Sequence, residues 1–386
     1  MEHSFFSCIK RELRELARDP WLISLVSWVP LVLFAIMWLI LAPGLTRNIP
    51  FGIVDLDKTQ ISRSLVRYYE ASPALAVDDT FPDVTSGALA VKSGLIYGLA
   101  VIPADFSEDT LLGRSPQITV FINSQFLLIG KIITAAVLPA QGTFNATVET
   151  GKDLLSVSPV VNIALSTALP IKSRITPLFN ISVNYAQFLI SAILPAIWQI
   201  LMVATTVLVL ASEQRRQGLA VWLNGSPLSS LMGKLLVLSV LFLAQGICIL
   251  SFLYIVLGWP MHGKWSILLL TQFLTVWASI AAGSAFFFIT KDAATGLSLS
   301  AAYAAPALAF MGVTFPVTDM TLPARIWRSL LPVSHYIEVQ VAQANYGASF
   351  SAAIPKLQAL GLFFLPMLLS LYLAYRCGCS KQGGAQ

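Results

Sequence analysis

The chain contains six apolar runs that carry no charged residue, and their lengths match the thickness of a lipid bilayer. A transmembrane helix needs about 20 predominantly apolar residues. These runs therefore predict a polytopic α-helical membrane protein with six transmembrane helices. The runs are Trp21–Ala42, Tyr185–Leu210, Leu235–Leu257, Trp265–Ile289, Leu297–Phe315 and Leu357–Tyr375.

The composition also indicates a membrane protein. Hydrophobic residues make up 56% of the chain and charged residues only 11%, whereas soluble domains carry about 25% charged residues. A large soluble core is excluded because its surface would lack charge. The four cysteines suggest no disulfide framework. Cys377 and Cys379 are candidates for acylation, although unmodified thiols on a reducing face are the simpler interpretation.

Residues 1–20 are predicted to form an amphipathic helix on the cytoplasmic surface of the membrane. Apolar residues, among them Phe5, Ile9 and Leu16, recur at helical spacing. Asp19-Pro20 ends this helix. The basic residues of the other face are Lys10, Arg11, Arg14 and Arg18.

Residues 21–42 are the first predicted transmembrane helix. A cleaved signal peptide is the alternative interpretation. The run is longer than the apolar core of a typical signal peptide, and Ile40-Leu41-Ala42 is a poor cleavage site. We therefore expect an uncleaved anchor.

Residues 43–182 hold most of the acidic residues and alternate short apolar runs with helical periodicity. This alternation predicts an extracytoplasmic α/β domain inserted between the first and second spans. Residues 118–138 are interrupted by polar side chains and are not expected to cross the membrane. The predicted strands are 51–55, 75–77, 96–102 and 117–122; the predicted helices are 62–71, 84–93, 106–112 and 124–155, followed by loops up to residue 180.

Residues 183–376 are predicted to form a five-helix transmembrane region, followed by a cytoplasmic tail at 377–386. The linker 316–356 is long, only weakly polar and punctuated by proline. We expect it to be an outer re-entrant loop with short helices at Ala324–Leu330 and Tyr336–Ala344. Backbone at membrane depth must pack against protein, so this loop is expected to cap a pathway or interface. The candidate functional residues of this loop are Phe315, Pro316, Pro323 and Pro332.

Basic residues set the predicted orientation, because they concentrate in the short loops on the cytoplasmic side. An inside N-terminus places ten of the assigned basic residues inside and four in the outer short loops. Both termini and the 211–234 linker are therefore predicted to be cytoplasmic. Residues 43–182 are predicted to lie outside.

The sequence offers no nucleotide-binding or catalytic motif. Seven residues separate Gly225 from Gly233-Lys234, and Leu235 follows the lysine, which departs from a phosphate-binding loop. The histidines form no close pair, and Cys and His lack metal-ligand spacing. We expect no catalytic residue and no metal site. Because the predicted spans carry no carboxylate, an ion-coupled carrier is also disfavoured.

A polar segment, 212–228, separates the second and third spans. It begins with charges, continues with an amphipathic pattern and ends at Asn224-Gly225-Ser226-Pro227. Its spacing is equally consistent with a helix that an outside partner grips and with a solvated loop.

Four stretches, taken in order, resemble the type-2 ABC transporter permease family, in its bacterial branch with a large extracytoplasmic domain. The sequence departs from that family at Ala220-Val221-Trp222, where relatives tend to carry an acidic residue. The similar stretches are Lys10–Pro20 (surface helix), Phe51–Asp57 with Ser62–Val66 (first strand and helix), Glu213–Leu219 with Ser226–Leu228 (coupling helix), and Gly312–Pro316 with Met320, Pro323, Leu330-Leu331-Pro332 and Tyr336 (loop before the last span).

This resemblance implies a transport subunit, not an enzyme, in the cytoplasmic (inner) membrane of a bacterium. It implies a dimer with a second permease copy or paralogue and a cytoplasmic ABC ATPase that binds ATP and Mg. It also implies export of an amphiphile such as a drug or lipid, contact with membrane lipid, a periplasmic adaptor in Gram-negative relatives, and no nucleic acid. The residues it assigns to ATPase coupling are Glu213, Arg215, Arg216, Gly218, Leu219 and Trp222, beside the surface-helix residues Arg11, Arg14 and Arg18.

Two other function classes stay open from the sequence. One is a membrane-anchored receptor or assembly scaffold whose 43–182 domain binds an outside protein. The other is a secondary carrier, which would transport its substrate without an ATPase.

Overall fold

Two compact units make up the described chain. The computed structural model describes residues 5–42, 47–112, 114, 116–123, 127–156, 184–223, 226–313 and 317–379. One unit is Leu45–Thr176, and the other combines Met1–Gly44 with Pro177–Gln386. Each has its own hydrophobic core.

The fold is mostly helical, with one small sheet. In chain order the elements are α1 (Phe5–Arg18), α2 (Pro20–Val26), α3 (Trp28–Leu41), β1 (Ile49–Asp55), α4 (Gln60–Glu70), β2 (Leu75–Thr80), α5 (Val84–Ser93), β3 (Gly98–Ile102), α6 (Phe106–Leu111), β4 (Thr119–Ile122), α7 (Leu127–Ser156), α8 (Tyr185–Gln217), α9 (Leu219–Trp222), α10 (Pro227–Ser251) with a π-helical end (Phe252–Val256), α11 (Trp265–Thr290), α12 (Ala293–Ala304), α13 (Ala307–Phe310), a 3-10 turn (Val317–Asp319), α14 (Leu322–Ser329), α15 (Pro332–Tyr346), α16 (Phe350–Gly361) and α17 (Phe364–Cys379).

Within the described residues, five helical stretches are long and apolar enough to cross a membrane. The bent pair α2 and α3 makes a sixth if it is one span. This confirms the prediction of a polytopic helical membrane protein. The five stretches are Ala186–Gln217, Pro227–Val256, Trp265–Thr290, Ala293–Phe310 and Phe350–Gly378.

The predicted first transmembrane helix, 21–42, is not one straight helix. Its two halves are bent by 46° at Ser27. Pro30 causes this break, because proline has no amide hydrogen to bond the carbonyl four residues earlier, that of Val26. The side-chain amide of Gln245 in α10 donates to the Val26 carbonyl instead. A neighbouring helix therefore satisfies the polar group that the proline leaves open.

Close approach of α8 and α11 forms the centre of the larger unit's core. A Cβ atom at Gly283 would lie 2.6 Å from the Val203 carbonyl oxygen, so only glycine permits this approach. Gln199 of α8 accepts a hydrogen bond from the Val333 amide at 2.7 Å. This bond satisfies one of the amide groups that every helix leaves open at its N-terminus, and it fixes the start of α15.

The smaller unit contains a four-stranded sheet in the order β2-β1-β3-β4. Strand β1 runs parallel to β2 and β3, whereas β4 is antiparallel to β3. Phe51 and Ile53 face a core shared with α4 and α7, while Val54 faces a second core that includes Ala90 of α5. Both faces of the sheet are therefore covered, as in sheets with parallel strands generally.

The sequence pattern located the elements of this unit closely. Each of the four predicted strands overlaps an observed strand. Within 118–138, residues 119–122 form β4 and residues 127–138 lie in α7, which is not among the candidate membrane spans. Residues 124–126 are outside the described chain. The predicted loops at 157–180 lie outside the described residues.

Candidate functional site

The predicted coupling helix 212–228 is not a single helix. Residues 212–217 form the last turns of α8, and α9 is a separate turn of four residues. Gly218 divides them because it has φ of +77°, a conformation that side chains disfavour. Pro227 then opens α10, at the helix position that suits proline. We call residues 212–223 and 226–228 the α8–α10 segment.

A buried ion-pair cluster joins the α8–α10 segment to α1. The Lys234 ammonium lies 2.7 Å from a carboxylate oxygen of Glu213 and also pairs with Glu12. All three side chains are buried. Burying charges is costly unless they are paired, so these three residues stabilise one another only while they remain together. We call them, with Trp222 and Glu15, the inner junction.

Trp222 completes one wall of the inner junction. Its indole N–H lies 3.5 Å from a Glu12 carboxylate oxygen, at the limit of a hydrogen bond. The Lys234 ammonium lies 5.6 Å from the centre of the indole ring, within the range of a cation–π contact. The bulky Trp222 side chain of α9 therefore packs between α1 and the first turns of α10.

Glu15 adds a third carboxyl group to the inner junction. Oxygen atoms of Glu12, Glu15 and Glu213 lie within 4.8 Å of one another. Burial raises the pKa of the Glu15 carboxyl, and the charge of Glu213 and a hydrogen bond with it raise that pKa further. A proton on Glu15 is thereby favoured. Lys234 supplies the positive charge for the other two carboxylates.

Polar contacts tie the α8–α10 segment to further elements. Arg216 pairs with Asp19, which caps α2, at 3.1 Å. The side-chain amide of Gln214 donates to the Lys291 carbonyl at 2.8 Å, beyond the end of α11. Gln217 donates to Glu213 at 3.0 Å. The end of α8 is thus held by α1, α2, α10 and the turn after α11.

The predicted surface residues of α1 divide into two groups. Arg14 and Arg18 are exposed, whereas Arg11 is half-buried and pairs with Glu12 at 2.9 Å. In the α8–α10 segment Arg215 and Val221 are exposed and Leu219 is half-buried. The cations of α1 and the apolar and cationic side chains of the segment are therefore available to a partner.

None of the positions named for the predicted outer loop is a member of the inner junction. Pro323 is exposed near the start of α14, and Pro332 is buried at the start of α15. The two expected short helices are α14 and α15, both longer than predicted. Phe315 and Pro316 lie outside the described residues.

The sequence interpretation missed Glu12 and Lys234. Glu12 falls at helical spacing with Ile9 and Leu16, on the face that α1 buries, which marks it as a buried acid. Pro227 at the start of a helix places Lys234 two turns inside it rather than in a loop. Residues 211–217 and 227–234 of the predicted linker 211–234 therefore belong to α8 and α10.

Long apolar helices, with α1 anchored to them by a buried ion pair, define this chain as a multi-pass membrane protein. A family model described as ABC-2 family transporter protein matches residues 20–374. The chain belongs to this family, as the sequence resemblance implied, and membership implies a transport subunit. No curated protein matches the chain.

Proposed function

We propose that this chain is the permease subunit of an ATP-driven exporter. It moves an amphiphilic substrate across, or out of, the cytoplasmic membrane. A separate cytoplasmic ABC ATPase binds ATP and Mg and supplies the energy, consistent with the lack of a phosphate-binding loop in this sequence. A second permease copy or paralogue completes the dimer.

The inner junction is the observation that carries this proposal. One cation connects α1, the end of α8 and the start of α10. Two of these helices are candidate spans, so a displacement of the α8–α10 segment moves them as rigid bodies. A partner pressing on the exposed Arg215 and Val221 would therefore act on the membrane region through a fixed linkage.

The charge distribution supports a cytoplasmic position for this segment. Arg215, Arg216 and the basic residues of α1 belong to the side that the basic residues of short loops assign to the cytoplasm. The same orientation puts both termini inside and residues 43–182 outside. An outside domain is a suitable surface for a periplasmic adaptor.

Affinity purification of the full chain in mild detergent tests this function. We expect an ABC ATPase to co-elute, and Arg215→Glu to reduce that co-elution while the protein still inserts. Arg63→Glu, an exposed arginine of the smaller unit, is the matched control. Absence of an ATPase from the purified complex, or transport by the chain alone, would overturn the proposal.

A further inference from the structure

A second charged cluster lies where α14, α15 and α16 meet, and none of its residues belongs to the inner junction. Arg328 of α14 and Lys356 of α16 both pair with the Glu338 carboxylate of α15. Two cations thus share one carboxylate, which leaves an excess positive charge. We call these three residues the outer cluster.

Arg328 is the buried part of the outer cluster. It is 6% exposed, and its Nε atom has no hydrogen-bond acceptor among the described residues. An unsatisfied buried donor is costly, more so when it is charged. Gly312 packs closely against the guanidinium, since a Cβ there would lie 3.2 Å from Nε. The guanidinium therefore has donor capacity to spare.

Glu338 and Lys356 make the outer cluster accessible from the protein surface. The side chains of Glu338 and Lys356 are 30% and 34% exposed. His335 lies beside the cluster with Nε2 3.0 Å from the Ser329 carbonyl. Burial lowers the pKa of His335, and the charges of Lys356 and Arg328 lower it further, so the neutral imidazole is favoured and the excess positive charge stays on Arg328 and Lys356.

The exposed face of α14 carries large apolar side chains as well as Arg325. Leu322, Ile326 and Leu330 at and beside its outer face are 70%, 55% and 51% exposed, while Arg328 points inward. A soluble helix has the reverse pattern. In a membrane protein, exposed leucine and isoleucine fit the acyl chains of lipid, and the arginine lies next to that surface.

We propose that the outer cluster binds the phosphate head group of an anionic lipid. Arginine presents paired N–H donors that match phosphate, and lysine adds a point charge. The acyl chains lie along the apolar face of α14. Glu338 competes with the phosphate for both cations and holds them in place when no lipid is bound.

Binding is tested on the purified full chain by native mass spectrometry in detergent, with added phosphatidylglycerol or phosphatidylcholine of equal chain length. We expect phosphatidylglycerol to be retained preferentially. Arg328→Gln or Lys356→Gln lowers its affinity roughly tenfold or more, the effect of losing one charged hydrogen bond. Lys356→Gln keeps the test valid if Arg328→Gln does not fold, because Lys356 is partly exposed.

Glu338→Gln separates a lipid site from a purely structural ion pair. Removing the competing carboxylate should strengthen phosphatidylglycerol binding, whereas all three variants would weaken binding equally if the cluster only held the helices together. Arg325→Gln is the control, since Arg325 donates to the carbonyls of Met320 and Thr318 and lies outside the cluster.

Equal retention of the two lipids, or weaker binding by Glu338→Gln, would overturn the proposal. Displacement of phosphatidylglycerol by millimolar inorganic phosphate would also overturn it, because it would identify a site for free phosphate. These measurements need no ATPase and no transport, so they stand apart from the proposed export function.

Discussion

Lys234 and Glu213 are 21 positions apart, yet their ammonium and carboxylate groups meet at 2.7 Å in the interior of the protein. The ion pair thus brings the end of α8 and the first turns of α10 together, with α9 between them in the sequence. The same ammonium pairs with Glu12 of α1. One lysine therefore joins the end of α8, the start of α10 and α1.

Lys234→Met is expected to destabilise the protein strongly. The substitution keeps most of the apolar side chain but leaves the buried Glu213 carboxylate without the Lys234 ammonium, and it leaves Glu12 with the half-buried Arg11. Removing one partner of a buried ion pair costs about 3–5 kcal/mol. Thermal unfolding of the detergent-solubilised protein, followed by tryptophan fluorescence, measures the effect.

The triple variant Glu12→Gln, Lys234→Met, Glu213→Gln is the matched control for that experiment. It removes the charges together and should recover much of the lost stability. Recovery would show that uncompensated charge, rather than lost packing, causes the instability. Unchanged unfolding of Lys234→Met would contradict the role assigned to the inner junction.

Glu15 gives the inner junction a pH dependence with a definite sign. Its folded-state pKa is raised above the ordinary value of a glutamate, chiefly by burial and then by Glu213. The associated stability is therefore present below the unfolded-state pKa and is lost as pH rises through the folded-state pKa. Glu15→Gln should unfold at temperatures that change less between about pH 5 and pH 8 than those of the wild type. Glu70→Gln, at an exposed position of α4, should behave as the wild type does.

The membrane spans could be predicted from the sequence because lipid imposes a simple requirement. Every spanning helix needs about 20 apolar residues and satisfies its own backbone. Trp265–Ile289, for example, differs from α11 by one residue. The strands of the smaller unit were located for a similar reason, since each is a short apolar run such as Phe51–Asp55 bounded by polar residues.

The inner junction could be predicted only in part. The family resemblance points to the segment between α8 and α10, including Glu213 and Trp222. The residues that these two contact depend on which helix faces pack together. That contact joins Glu12 near the start of the chain to Lys234 far from it. The spacing of residues along the chain does not predict such a long-range pairing. The buried acid in α1 was the available signal.

Gly218→Ala tests whether the break between α8 and α9 is needed. The residue has φ of +77°, and a Cβ there would meet no atom of the described residues within 4 Å. The cost is therefore backbone strain alone, about 1–3 kcal/mol. We expect a lower unfolding temperature and weaker ATPase co-elution. Gly151→Ala in α7, also with open space around its Cβ, should instead stabilise by about 0.5–1 kcal/mol.

Gln245 and Pro30 form a testable pair at the break in the first membrane span. Gln245→Leu leaves the Val26 carbonyl without its donor and also removes the acceptor of the Trp198 indole N–H, 3.4 Å away. A buried unsatisfied group costs about 1–3 kcal/mol, so the unfolding temperature should fall. Trp198→Phe measures how much of the lost stability comes from the hydrogen bond of the Trp198 indole.

Pro30→Ala should rescue Gln245→Leu, because alanine restores an amide that can donate to the Val26 carbonyl as the helix straightens. The double variant is then more stable than Gln245→Leu alone, and the coupling between the two sites is measured by a double-mutant cycle. Purely additive effects would mean that the bend at Ser27 is fixed by the surrounding packing and not by the missing proline amide.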